Sequence, residues 1–270
     1  MKKTISAILI ILIIMTGLSL FLYPTVSNII SERESSRTID RYSESVGGLG
    51  GAERIDELQK AREYNKALYA ESIGEEYMVS ASDYNSVLNI GGDGMMAYIE
   101  IPAISCRLPV YHGTEASTLE SYVGHLPSSS LPVGGESTHC VLTGHTGLPS
   151  ARLLTDLDKL KEGDRFTLTT LDSRLTYEVD RVLVVEPDET EALKTEEGLD
   201  LCTLVTCTPY GVNTHRLLVR GRRVADSDEE ITAGNGSLAE ILINNPVMLA
   251  LAALLIILMA ALAFMRLQRK

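Results

Sequence analysis

The chain is short of basic residues and short of cysteine, and neither end carries any acidic residue. Its 270 residues hold 24 Lys and Arg against 36 Asp and Glu, a formal net charge of −12. All 36 acidic residues fall between positions 24 and 245, where only 19 of the basic residues stand, so this middle section has a net charge of −17. That balance argues against nucleic acid as a partner, because phosphates need a basic face. It also argues against lying flat on anionic lipid head groups. Four cysteines are too few for the dense disulfide framework of a small secreted scaffold. No close Cys-x-x-Cys or His-x-x-x-His pair offers zinc a ligand spacing. No metal and no cofactor is expected.

Charge is also missing from two long runs. Residues 5–23 contain 15 apolar residues of 19 and no charged one, and residues 247–265 are apolar at all 19 positions. Each run is long enough to cross a hydrocarbon core of about 30 Å, which excludes a purely cytosolic enzyme. The five remaining basic residues, Lys2, Lys3, Arg266, Arg269 and Lys270, flank the outer ends of the runs. The positive-inside rule then puts both termini in the cytoplasm and the acidic middle section outside. Residues 1–23 read as an anchor or uncleaved signal. The apolar core exceeds that of a usual signal peptide, and Thr25-Val26-Ser27-Asn28 supplies no small-x-small cleavage site. Residues 246–265 read as a second transmembrane helix and 266–270 as a basic cytoplasmic tail. Residues 225–245, acidic and with a Gly-Asn-Gly-Ser stretch, read as a tether.

Between the runs, residues 24–94 form a lead. Positions 24–46 are polar and mixed in charge, and Gly47-Gly48-Leu49-Gly50-Gly51 is a flexible break. From Ala52 to Ala70 the spacing of Ile55, Leu58, Ala61 and Leu68 predicts a helix. From residue 97 the pattern changes to short alternating runs. Residues 97–101, 104–111, 138–142, 165–171, 175–185, 201–207 and 214–220 all read as strands. Asp172-Ser173 is a hairpin turn. Ala151–Lys161 reads as a short helix ending near Gly163. Many short strands with few helices predict a mainly β domain over 95–224, a closed barrel or a sandwich.

The cysteines are Cys106, Cys140, Cys202 and Cys207. An even number in an exported chain allows two disulfides. Cys202 and Cys207 stand five apart on one predicted strand, so they point to opposite faces. A second reading is a catalytic thiol. Cys207 ends its strand just before Thr208-Pro209-Tyr210-Gly211 must turn, and strand ends are where a reactive group can face a cleft. A thiol near pKa 8.5 needs a cation or a base beside it to be a nucleophile at neutral pH. Arg216, nine residues on, returns antiparallel to the same rim, and guanidinium donates several hydrogen bonds in fixed geometry. For an acid or base the chain offers five histidines. His145 stands in Leu142-Thr143-Gly144-His145-Thr146-Gly147, where a strand leaves into a glycine-flanked loop. His112 and His125 also lie near turns, His139 is mid-strand, and His215 alternates away from Arg216.

These residues lie in longer motifs. The run Thr203-Leu204-Val205-Thr206-Cys207-Thr208-Pro209-Tyr210-Gly211-Val212-Asn213-Thr214-His215-Arg216-Leu217-Leu218-Val219-Arg220-Gly221 resembles the cysteine signature of sortases, and within them the class C, pilin-polymerising group. The likeness extends back through Val141–Pro149, through Tyr98-Ile99-Glu100-Ile101-Pro102 and through Leu108–Thr114, covering most of 95–223. It implies a closed sortase-type barrel of eight strands and the triad Cys207, His145 and Arg216. Cys207 would be the acyl-thioester nucleophile, His145 the proton donor and acceptor, and Arg216 the oxyanion or substrate stabiliser. It also implies a substrate with an LPxTG-like sorting signal, a pilin lysine amine as acyl acceptor, and the outer face of a Gram-positive cell membrane. Cys106, Cys140 and Cys202 receive no role and read as buried strand residues.

One feature departs from the family. Class C members carry a lid anchored by an Asp-Pro-aromatic motif, and the stretch from Glu71 to Asn89 has no such triplet. Ile73, Tyr77 or Met78 could plug a lid there, or the stretch could be a plain linker. Within the family, the rival function is anchoring of surface proteins to cell-wall peptide. Outside it, the rivals are a membrane-tethered cysteine protease and a non-enzymatic surface scaffold.

Overall fold

The computed structural model describes residues 2–75 and 81–225. The expected tether, second transmembrane helix and basic tail lie outside the described residues, as do Tyr77 and Met78.

Helix α1 runs from Lys2 to Gly48 and α2 from Gly51 to Ser72. The expected glycine break is therefore a short interruption between two helices. Positions 24–46, expected only as a polar stretch, instead continue α1. The reason is a narrow stripe: Ile39, Tyr42 and Val46, at helical spacing, are buried together with Ser35 and Thr38. Tyr42 fixes the docking, since its hydroxyl donates to the Met96 carbonyl at 2.9 Å and accepts from the Leu171 N–H at 2.8 Å. Among the described residues, one helix, Leu12–Gly48, is long and apolar enough to cross a membrane. Its N-terminal part leaves Leu12, Ile13, Leu20 and Phe21 exposed. Of the expected stripe on α2, Ala61 is buried and Leu58 and Leu68 pack against the core, and only Ile55 departs. Ile55 is exposed, while Ala61, Tyr64, Asn65 and Ala67 are buried. Asn65 replaces an apolar contact with a two-bond amide match, its Nδ2 donating to the Leu131 carbonyl and its Oδ1 accepting from the Leu131 N–H. A short helix α3, Ala81–Ser86, follows. Ile73, just past the end of α2, is exposed.

The barrel begins with β1 (Met95–Ile101) and β2 (Cys106–His112), separated by a 3-10 turn at Pro102–Ile104 and by Ser105 at φ +50°. The strand expected over 104–111 therefore starts two residues later and ends one later. After helix α4 (Ala116–Leu119) comes β3 (Val123–His125), which alternation does not reveal because it is three residues long and contains glycine. Then follow β4 (Thr138–Thr143), β5 (Arg165–Thr170), β6 (Ser173–Val185), β7 (Asp200–Thr208) and β8 (His215–Arg223). They close in the order β1-β2-β3-β4-β7-β8-β6-β5. The pairs β2–β3 and β4–β7 are parallel and the rest antiparallel. The choice left open between barrel and sandwich is thus a barrel.

The helix expected over 151–161 is a correction. Only Leu157–Lys159 make a 3-10 turn. Leu153, Leu154, Leu157 and Leu160 are all buried, so the helical spacing was a packing pattern, but Leu153 takes φ +40° and breaks any α-helix. Inside the barrel, Phe166 and Tyr177 stack with centroids 5.5 Å apart, and the Tyr177 hydroxyl donates to Asp200 Oδ1.

Candidate active site

Two strand pairs build one rim. In β7, Cys202 and Leu204 belong to the core cluster inside the barrel, and in β4 Cys140 and Leu142 do. By alternation, Cys207 with Val205 and Thr203 therefore faces outward, as do Val141 and Thr143. Leu217 and Val219 of β8 point inward, which turns Arg216, Leu218 and Arg220 out.

Register then decides the neighbours. Cys207 and Arg216 are direct partners across the antiparallel β7–β8 pair, where side chains on one face stand about 4.5–5.5 Å apart at Cβ. On the other side, Thr143 pairs with Val205 in the parallel β4–β7 ladder. The chain continues alongside after β4 ends: the Gly144 N–H donates to the Val205 carbonyl at 3.1 Å, and Thr206 Oγ1 donates to the Gly144 carbonyl at 2.8 Å. Two residues beyond the last pair in each strand stand His145 and Cys207. Cys207 and Arg216 are thus neighbours on the outer face, and the backbone carrying His145 runs along the other side of β7. All three are partly exposed.

The flanking residues shape this rim. Gly144 leaves little room for a side chain, because a Cβ would meet Leu154 Cδ1 at 3.0 Å and the buried leucine would have to give. Its backbone can therefore pass close over the loop that follows. That loop is held by the Leu154 N–H on the His145 carbonyl and the Gly147 N–H on Thr155 Oγ1. Gly147, at φ +76°, lies under the ring of Tyr210, so the histidine and cysteine loops touch. Arg216 Nη1 donates to the carbonyls of His215 at 3.1 Å and Asn213 at 3.5 Å, and Asn213 takes φ +61°. His215 lies beside Glu186 at 3.3 Å, off the site. His112 and His125 serve structure instead: both His112 ring nitrogens lie 2.9 Å from the carbonyls of Gly94 and Val87, and His125 meets Tyr84 and Ser130.

All four cysteines are free thiols, so the two-disulfide reading gives way. Cys140 and Cys202 are register partners buried in the core, and burial pushes the Cys202 thiol well up. Cys106, expected as a buried strand residue, is on a strand but only partly buried. It opens β2 half-buried, with Sγ 3.8 Å from the Leu153 carbonyl, and desolvation pushes its pKa up to about 12. At neutral pH Cys106 stays a thiol, and thiols react slowly. Iodoacetamide at neutral pH is therefore expected to alkylate Cys207 first in the folded chain, read by peptide mass spectrometry. Equal labelling of Cys106 would defeat that expectation.

Sequence reasoning missed the residues sharing the outer face with the triad: His139, Leu218 and Arg220, and Glu196 on the connection between β6 and β7. The period-2 count back from His145 and forward from Arg216 was a usable signal for the strand residues. None existed for Glu196, which reaches the face from a loop.

A sortase domain model matches residues 99–224. The fold is similar to sortase C1 of Streptococcus agalactiae, with 47% identity, 71% of this chain and 100% of that chain covered, and a TM-score of 0.66. It is also similar to sortase C of Clostridium perfringens, at 42% identity with 71% and 100% covered and a TM-score of 0.64. Sortase D of Bacillus subtilis (strain 168) is 32% identical over 129 residues, 47% of this chain and 62% of that protein, so the match spans less than two thirds of its length. The chain belongs to the sortase family of cysteine transpeptidases, on its class C branch.

Proposed function

We propose that this protein cleaves an LPxTG-like sorting signal between Thr and Gly and passes the acyl group to a pilin lysine, polymerising pilus subunits. The observation that carries the reading is the register itself: Cys207 opposite Arg216, with the His145 chain running beside it. Cys207 Sγ attacks the Thr carbonyl carbon. The oxygen gains negative charge, and the Arg216 guanidinium donates hydrogen bonds to it. His145 protonates the glycine nitrogen as the C–N bond breaks, leaving a thioester on Cys207. The lysine Nζ then attacks that thioester, His145 takes its proton, and the thiolate returns.

The outward residues beside the triad support a peptide donor. Val205 and Leu183, partly exposed on either side of the buried Leu218 with which both are in register across β7, β8 and β6, give an apolar strip suited to the Leu-Pro part of the signal. The Clostridium perfringens sortase C structure contains a C-terminal cell wall sorting motif, which favours the same donor here. Class C likeness favours a pilin lysine as acceptor over wall peptide. The exposed apolar surface at the start of α1 supports a membrane anchor. With the second apolar run, the reading is a two-helix membrane protein with its barrel outside the cell and both termini in the cytoplasm.

The test uses the full chain in detergent micelles with an LPxTG peptide. An acyl adduct on Cys207, found by intact-mass and peptide mass spectrometry, is the expected result. Adding pilin should then give lysine-linked multimers. Transfer to wall peptide alone would replace polymerisation by anchoring, and no adduct with any LPxTG peptide would overturn the donor assignment.

A further inference from the structure

The course of α1 fixes which way the catalytic rim faces. Cys207, Arg216 and Thr143 lie at one end of the barrel, where β7 ends, β8 begins and β4 ends. The starts of β4 and β7 and the hairpin turn at Leu171-Asp172 lie at the other end. Helix α1 runs along the barrel from the first end to the second. Ser27 Oγ donates at 2.8 Å to the carbonyl of Ser150, five residues after His145 in the histidine loop. Ser31 and Ser35 then line one cavity with Ile104 and Cys106, where β2 begins towards the rim end. Tyr42 docks on Met96 and Leu171 at the far end. From Ser27 to Tyr42 the helix advances about 22 Å.

Upstream of Ser27 the same helix leaves the barrel past the rim. Tyr23, the last residue of the first apolar run, stands four residues before Ser27, about 6 Å along the axis. That is about the depth of one headgroup layer, since a bilayer about 40–45 Å thick surrounds a core of about 30 Å. With residues 12–23 in that core, Ser150 lies among the head groups. Pro24, inside α1, can bend the helix and tilt the barrel, but the contact three residues on keeps Ser150 at this depth. The surface here suits lipid. Residues 102–105, 144–151 and 209–214 contain no Asp or Glu, although the section around them is acidic. Glu32 and Glu34 stand about 8 and 10 Å further along the helix from Ser27. Tyr210 and Val212, on the β7–β8 turn, are 68% and 64% exposed, and the Tyr210 ring lies over Gly147 of the histidine loop. Tyrosine favours the membrane interface, with its ring in the apolar layer and its hydroxyl in water. The acidic connection at 186–197 leaves from β6, across the barrel from β2 where α1 docks. Repulsion from anionic head groups therefore tips the acid-free side towards the membrane.

We propose that the barrel stands end-on to the membrane with its catalytic rim towards the lipid, the β7–β8 turn at Tyr210 and Val212 and the histidine loop at Pro149 and Ser150 resting on the bilayer surface. The inference rests on reading the start of α1 as a membrane anchor and adds which face of the enzyme that anchor turns to the lipid. Cys207 is then approached along the membrane surface rather than from bulk solvent. An end-on stance also keeps the acidic flanks of the barrel off the head groups, which a flat one would not.

The experiment uses the full chain in vesicles of phosphatidylcholine and phosphatidylglycerol, with and without lipids that carry a nitroxide quencher on the head group. Cys207→Ala removes the reactive thiol. One further substitution per variant, Tyr23→Cys, Val212→Cys or Glu136→Cys, then takes a thiol-reactive fluorophore at neutral pH. All three positions are exposed, so each variant should fold, and a thermal melt checks that it does. Tyr23 reports the anchor, Val212 the rim, and Glu136, two residues before β4 begins, the far end of the barrel. The nitroxide should remove most of the emission at Tyr23 and Val212 and almost none at Glu136. Emission at Val212 that survives the quencher while Tyr23 loses its own overturns the inference and turns the rim to solvent or to a protein partner. Strong quenching at both Val212 and Glu136 overturns it too, because the barrel then lies flat. If Tyr23 itself is unquenched, the anchor reading falls and this inference with it.

Discussion

Cys207→Ala is expected to give no acyl-enzyme with an LPxTG peptide and to lower transpeptidation by at least about 10⁴-fold, the scale seen when a covalent nucleophile is removed. No other thiol can substitute. Cys140 and Cys202 are sealed in the core, and Cys106 sits at the start of β2, on a different strand pair. Folding should be nearly unaffected, because Cys207 is partly exposed at the end of its strand, and such positions cost within about 0.5 kcal/mol. Intact-mass spectrometry and a thermal melt of the same sample check both halves. An adduct persisting in Cys207→Ala, on any residue, would remove the thioester from the mechanism.

Arg216→Ala is expected to cost about 10²–10³ in kcat, the range for removing a principal oxyanion donor. The argument is positional. As the direct register partner of Cys207, Arg216 is the donor that the proposed mechanism puts beside the developing oxyanion, and its Nη1 donates to the carbonyls of His215 and Asn213. Arg216→Lys keeps the charge but loses the planar fork, so it should recover only part of the rate. Steady-state kinetics with separate donor and acceptor titrations reads this. A kcat within twofold of wild type in Arg216→Ala would assign the oxyanion to other donors.

The barrel strands were legible because each is a local alternating run, and alternation is a property of neighbours in sequence. The residues proposed for the triad stand out in the sequence for a related reason. Cys207 and Arg216 flank one turn, and His145 lies in a glycine-flanked exit from a strand. What failed were segments whose conformation is set from outside. The stretch 24–46 shows only a three-residue apolar stripe, yet docking of Tyr42 on Met96 and Leu171 carries it as helix. The leucines at 153–160 mimic helical spacing while Leu153 adopts φ +40°, because the barrel wall, not a helix, collects them. Strand β3 exists through its pairing with β2 and β4.

By itself the sequence determined the acidic charge of the middle section, the apolar runs at its ends, the β-rich domain and the residue types at the rim. These depend on composition and on short-range periodicity. Only the tertiary structure decided which face each residue occupies, and hence that Cys207 stands between Arg216 and the His145 chain. It also decided that Arg220 meets Asp180 and Glu196, 40 and 24 residues away, and that His139 meets Lys194, 55 residues away. Those contacts follow from barrel closure and from one β-bulge, which set register between strands far apart in the chain, and register between distant strands has no local signal.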